Sequence, residues 1–101
     1  MACAIECRRC ASASLNEDDV KMMLRCILLC RDCAALCELA VSAMSNENPL
    51  AKEICDPCAN MCDVCAEECE KHSHEHCRHC AETCRKCAAE CRQALVPAVV
   101  M

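Results

Sequence analysis

At 101 residues and 11.1 kDa the chain has room for one domain, and it carries 17 cysteines with no Phe, Tyr, Trp or Gly. Its hydrophobic content of 55% consists largely of those 17 Cys and of 16 Ala, leaving 17 Val, Ile and Leu and 6 Met to build a core, so disulfides or bound metal are needed as a further source of stability. A formal charge of −5 without aromatic residues excludes a nucleic-acid surface, which would need a basic stripe or a stacking platform.

The predicted elements follow from the cysteine spacing, because within four groups every step is three or four residues, which traces one face of an α-helix. The first group, Cys3, Cys7 and Cys10, places a short helix from about Ala2 to Ala13, with Ser14 where the stripe calls for a fourth cysteine. The second group is Cys26, Cys30, Cys33 and Cys37. Asn16, with Asp19 three residues on, is the expected cap of its helix, which runs from residue 17 to about Met44. Met22, Met23 and Met44 fall on or beside that stripe. Ser45, Asn46 and Asn48 make the next break, and Pro49 is expected as the first residue of a third helix reaching Lys71. That helix carries Cys55, Cys58, Cys62, Cys65 and Cys69, with Met61 nearby. Pro57 lies inside it and either kinks it or marks its true start with Asp56 as cap. A turn at 72–75 leads to the fourth helix, 74–95, which carries Cys77, Cys80, Cys84, Cys87 and Cys91 and is expected to stop before Pro97. The apolar tail 96–101 either docks on a neighbour or stays disordered.

Short connections favour antiparallel neighbours, so the predicted fold is a single all-α domain over residues 1–101, an up-down-up-down four-helix bundle with a cysteine-lined core. Cysteine occupies the inward positions that a bundle normally gives to Leu or Ile. The charges between the cysteines, Arg8, Arg9, Glu67, Glu68, Glu70, Lys71, Arg85, Lys86, Glu90 and Arg92, are expected to face solvent.

Cysteine density of this kind is usual in secreted disulfide scaffolds. Here the N-terminal MACAIECRRCASAS lacks an export leader, and no run approaches the 18 or so apolar residues of a membrane span, so the expected location is the cytoplasm with reduced thiols. The odd count also leaves at least one thiol unpaired within a monomer. Metal is therefore the better reading. Cysteines four apart, such as Cys26 with Cys30 or Cys80 with Cys84, have Cβ atoms about 5–6 Å apart and can grasp one ion in near-linear geometry. Cu(I) accepts two or three soft thiolates, whereas Zn(II) usually takes four ligands. Private pairs of thiolates would leave a large negative excess in the core, so bridged sulfurs and high loading are favoured. His72, His74, His76 and His79 cluster in KHSHEHCRHC between the third and fourth helices. They form either an entry point for metal or a solvated turn. The methionines are either thioether ligands or core.

The stretches CILLCRDCAALCELAVSAM, KEICDPCANMCDVCAEECEKHSHEHC and CRHCAETCRKCAAECR resemble the bacterial cysteine-rich four-helix-bundle copper storage proteins, in particular their cytosolic branch, and the resemblance covers nearly the whole chain. It implies a homotetramer of bundles, each storing many Cu(I) ions along its core, with histidines at the open end; these roles map onto the cysteine stripe and onto His72, His74 and His76. The chain departs from the pattern in its shorter first helix, in Ser14, and in Met22 and Met23 where histidine is common. No enzyme constellation is present, since nothing supplies an oxyanion site or a substrate pocket. The expected function is cytosolic copper storage and detoxification, with copper exchanged through the His-rich end and supplied by a copper chaperone or small thiol. The alternatives are a zinc- or cadmium-sequestering protein of metallothionein type and an iron-sulfur electron carrier, the latter lacking its usual loop-borne cysteine motif.

Overall fold

The computed structural model describes the backbone of residues 2–100 and the side chains of residues 2–93. Four α-helices follow one another: α1 (Ala2–Leu15), α2 (Leu24–Ser45), α3 (Ala51–Glu70) and α4 (Glu75–Val100), with a 3-10 turn over Val20–Met23 ahead of α2. Each helix packs on the next, and α1 closes the ring against α4. The direction of packing is read from sulfur contacts. Cys26 meets Cys69 and Cys37 meets Cys58 between α2 and α3, while Cys10 meets Cys77 and Cys3 meets Cys84 between α1 and α4. Rising numbers on one helix face falling numbers on the other, which is the up-down-up-down arrangement.

All 17 cysteines are buried and free. The Ala that follows Cys3, Cys10, Cys33, Cys58, Cys65, Cys80 and Cys87 is buried as well. A cysteine pointing inward and an alanine on the flank toward the neighbouring helix make a small-residue face, which lets the backbones approach and brings the sulfurs within reach of one another. Larger aliphatic side chains contribute little to the centre. Among the described residues Ile27 and Met23 are the large buried ones, whereas Leu24, Leu28 and Leu39 lie exposed on α2.

Several helix ends differ from the sequence expectation, each for a local reason. Asn16 does not cap the second helix. Its side-chain amide donates to the Ser12 carbonyl, so it finishes α1, which extends two residues past Ala13 and takes in the buried Ser14. The chain then turns, and α2 starts only at Leu24. Pro49 precedes α3 instead of opening it, because Asn48 Oδ1 accepts the Leu50 N–H at 2.8 Å and holds a turn there. Pro57 lies inside α3, which is continuous from Ala51 to Glu70 and keeps Cys55 and Cys58 buried on either side of it. The lost donor at Pro57 does not divide the helix, since proline's fixed φ is already helical. The same holds for α4, which continues past Leu95 and Pro97. The expectations for the tail 96–101 lie outside the described side chains. Of the charges expected to face solvent, Glu68 is 7% exposed; it is held by Arg25, Lys71 and His72 and so does not stand alone.

Candidate metal centre

The thiols form a column along the bundle axis. From the α1–α4 end nearest the histidines, four sets of four sulfurs succeed one another, each set lying within 4.8 Å: Cys10, Cys26, Cys30 and Cys69; then Cys7, Cys30, Cys65 and Cys80; then Cys3, Cys7, Cys33 and Cys84; then Cys3, Cys37, Cys62 and Cys87. Consecutive sets share a member, first Cys30, then Cys7, then Cys3. Measured separations include 3.6 Å for Cys26–Cys69, 3.7 Å for Cys30–Cys65, 3.5 Å for Cys7–Cys84 and 3.6 Å for Cys37–Cys62. Beyond the fourth set Cys58 lies 3.5 Å from Cys37 and 4.0 Å from Cys91, and Cys55 is one helical turn further along α3. Pairs four residues apart on one helix, Cys26–Cys30, Cys33–Cys37 and Cys80–Cys84, stand at 4.0 Å. Contacts between helices are thus as close as those within a helix, a feature that spacing along the sequence could not reveal.

With metal–sulfur bonds of about 2.3 Å, a tetrahedral ion wants sulfurs about 3.8 Å apart and a linear one wants them at most about 4.6 Å apart. The column fits either. Its continuity is the more informative property: because neighbouring sets share cysteines, they cannot all be filled with private ligands, and ions placed in adjacent sets must be bridged by a common sulfur.

Burial opposes ionisation of the empty thiols. It is the first cause raising Cys55 and Cys77 above the ordinary thiol value, and it pushes Cys91 up to about 12 with help from Cys58. Cys62 is raised by its contacts with Cys3, Cys33, Cys37 and Cys58 as well as by burial. Ions entering such a site must displace protons.

The histidines divide by their partners. His76 alone among them meets the column within the described contacts: its Nδ1 lies 3.4 Å from Cys10 Sγ and 3.6 Å from Cys77 Sγ, and the three residues form a further candidate set. His74 is turned toward Glu17 and Asp19, at 3.0 and 3.1 Å. His72 Nε2 is paired with Glu68 at 3.1 Å. His79 is exposed and lines a groove between α1 and α4, alongside Arg9, Arg78 and Cys10. The imidazoles act on their carboxylate partners in turn. The hydrogen bond from His74 lowers Asp19, and Glu68, which burial alone would raise, is brought below its usual range by His72 and Lys71. The mouth is finished by Ser14, whose Oγ is 4.0 Å from Cys10 Sγ, and by the fully buried Met23. Met23 is three residues before Cys26 and so continues the stripe, whereas Met22 beside it is 76% exposed. Met44 and Met61 are half-buried against the core. Sequence reasoning missed Glu17, Asp19 and Glu68 as partners of the histidines, since acidic residues in a turn or between cysteines carry no signal of which imidazole they will face.

The fold and the column together define a class: a four-helix bundle whose core is a continuous run of thiols. The family model for copper storage proteins (Csp) matches residues 1–96, and the chain belongs to that family. The structure of Cu(I)-bound copper storage protein BsCsp3 is similar, with a TM-score of 0.86 at 44% identity, covering 90% of this chain and 86% of that one. Apo-Csp3 from Bacillus subtilis superposes with a TM-score of 0.85 at the same identity and coverage. A curated Bacillus subtilis relative, the uncharacterized cysteine-rich protein YhjQ, is 44% identical over 59 residues, 58% of this chain; the match spans about half of that relative, 55%.

Proposed function

We propose that this chain stores Cu(I), with all 17 cysteines as ligands, and that copper enters and leaves at the mouth past His76, with His72 and His74 lining the approach. The observation that carries the proposal is the sharing of Cys30, Cys7 and Cys3 between successive sulfur sets. Shared thiolates let the number of ions approach the number of sulfurs, so singly charged Cu(I) can neutralise the core. Divalent zinc at four thiolates each would leave every site doubly negative in a buried environment. Similarity to a Cu(I)-bound bundle at 44% identity supports the same reading.

Copper held inside a closed ring of helices is kept from free solution, which suits both storage and detoxification and calls for no catalysis. Among the described residues no helix is long and apolar enough to cross a membrane, and reduced thiols in this number suit the cytoplasm, where a copper chaperone or a small thiol would be the donor. We assign a homotetramer, supported by the outward apolar stripe of Leu24, Leu28 and Leu39 on α2. The decisive experiment is an anaerobic titration of the reduced protein with Cu(I) against a competing chelator, repeated with Zn(II). Retention of well over about four copper ions per chain is expected, since four is the limit if each ion takes four private thiolates from 17. A copper load at or below that limit, or zinc displacing copper, would overturn the proposal.

A further inference from the structure

The acidic and imidazole groups at the mouth have a geometry beyond what the passage of copper requires. Glu17, in the connection after α1, presents its two carboxylate oxygens to two imidazoles at the start of α4: Oε2 lies 3.0 Å from His74 Nδ1 and Oε1 lies 3.4 Å from His76 Nε2. The two rings are stacked, 5° from parallel with centroids 5.4 Å apart. His76 Nε2 is buried without a hydrogen bond, so the contact with Glu17 does not satisfy it. The other nitrogen of each ring already has a neighbour. His74 Nε2 faces Asp19 Oδ1 and Oδ2 at 3.1 and 3.3 Å, and His76 Nδ1 faces the sulfurs of Cys10 and Cys77.

We propose that Glu17, His74 and His76 form a surface site for one divalent ion of the zinc class, distinct from the thiol column. Zinc takes nitrogen and oxygen ligands at about 2.0–2.2 Å, which sets tetrahedral donors about 3.3–3.6 Å apart. The N···O separations of 3.0 and 3.4 Å are close to that, and the two nearly parallel imidazoles must turn about their Cβ–Cγ bonds to aim both lone pairs at one ion. An Nε2–H of His74 donated to Asp19 leaves the Nδ1 lone pair for the ion, which makes Asp19 a positioning residue. Imidazole and carboxylate suit a borderline divalent ion, whereas Cu(I) prefers the sulfurs behind them. The neutral ring of His76 carries a single proton. When Nε2 binds the divalent ion, Nδ1 keeps its hydrogen and donates it to the sulfur of Cys10 or Cys77. Ligation of Cu(I) through Nδ1 is then blocked, so with both metals bound the copper at Cys10 and Cys77 is held by sulfur alone.

The inference rests on copper storage only for the way its test fills the thiols. Reduced protein is loaded with Cu(I) until no thiol reacts with a thiol reagent, and Co(II) is then added as a spectroscopic stand-in for Zn(II). One Co(II) per chain is expected, with weak visible ligand-field bands, no intense near-ultraviolet sulfur-to-cobalt band, and displacement by Zn(II). Asp19→Asn should weaken Co(II) binding by about 10–100-fold, and Glu17→Gln and His74→Ala should weaken it further, with helicity retained. An intense sulfur-to-cobalt band, no cobalt bound, or binding indifferent to all three substitutions overturns the site. Asp19 is exposed, so its substitution leaves a usable protein should either of the others fail to fold. Failure of copper storage shows itself earlier and separately, as thiols still reactive after Cu(I) is added.

Discussion

A cysteine at an inward helix position is both a small core residue and a soft ligand, and the two roles make opposite demands on its proton. Without metal the thiol must stay neutral, because an unpaired thiolate in this interior has no counter-charge. With metal it must ionise, and how much it then holds depends on how many sulfur sets it belongs to. Cys30 belongs to two of the four-sulfur sets, while Cys55 stands at the far end of the column, one turn beyond Cys58. Cys30→Ser is therefore expected to lower the Cu(I) capacity by about two ions per chain and Cys55→Ser by about one at most, since each missing bridge leaves two soft sites short of a ligand. Copper analysis after gel filtration of the loaded variants measures this, and equal losses would mean that copper does not occupy the shared sets. Which residues point inward was legible from the steps of three and four: every cysteine so placed is buried. Which histidine reaches them was not. His72, His74 and His76 are alternate residues around a turn, and their fates were decided by Glu68, Glu17 and Asp19, the last two more than fifty residues away along the chain.

Helix ends follow local rules, and here those rules operate without glycine. At the end of α2 the Glu47 N–H bonds to the Met44 carbonyl and the Asn48 N–H to the Ala43 carbonyl, the paired closure that requires a left-handed residue between them. Glu47 takes that conformation with φ of 53°. A side chain at this position costs roughly 1 kcal/mol relative to glycine through the clash of Cβ with the backbone. Glu47→Gly should accordingly stabilise the empty bundle by up to about 1 kcal/mol, the greater freedom of glycine in the unfolded chain removing part of the gain. Urea denaturation of the reduced protein gives the number, and a loss of stability would show that Glu47 makes a compensating interaction. The break between the second and third helices could be read from Ser45, Asn46, Asn48 and Pro49, because these residue types rarely continue a helix. The start of α2 could not be read. Asn16 fits the end of one helix as well as the beginning of the next, and only the packing of Met23 and Val20 against the core decides that a 3-10 turn intervenes.

At the scale of the whole molecule, the core and the cargo site are the same set of side chains, so stability and loading are linked through protons. Cys55, Cys77 and Cys91 are all held above the ordinary thiol value by burial, Cys91 at about 12. The folded empty bundle keeps protons that the unfolded chain begins to give up near pH 8.5. The sign follows from that difference. Stability from these groups is fully present below about pH 8.5 and is lost as pH rises toward 12, because the unfolded chain then binds fewer protons than the folded one. Copper changes the relation, since bound thiolates have already lost their protons and the ion binds the folded arrangement far better than the unfolded chain. The urea midpoint of the empty protein should therefore decline steadily between about pH 8.5 and 11, while that of the copper-loaded protein is higher at pH 8 and nearly level over the same range. In acid the two midpoints converge, because protons compete for the thiolates and copper leaves before the bundle loses its fold. A midpoint for the empty protein that rises with pH would show its thiols to be ionised in the folded state, and the same profile with and without copper would separate the metal from the core.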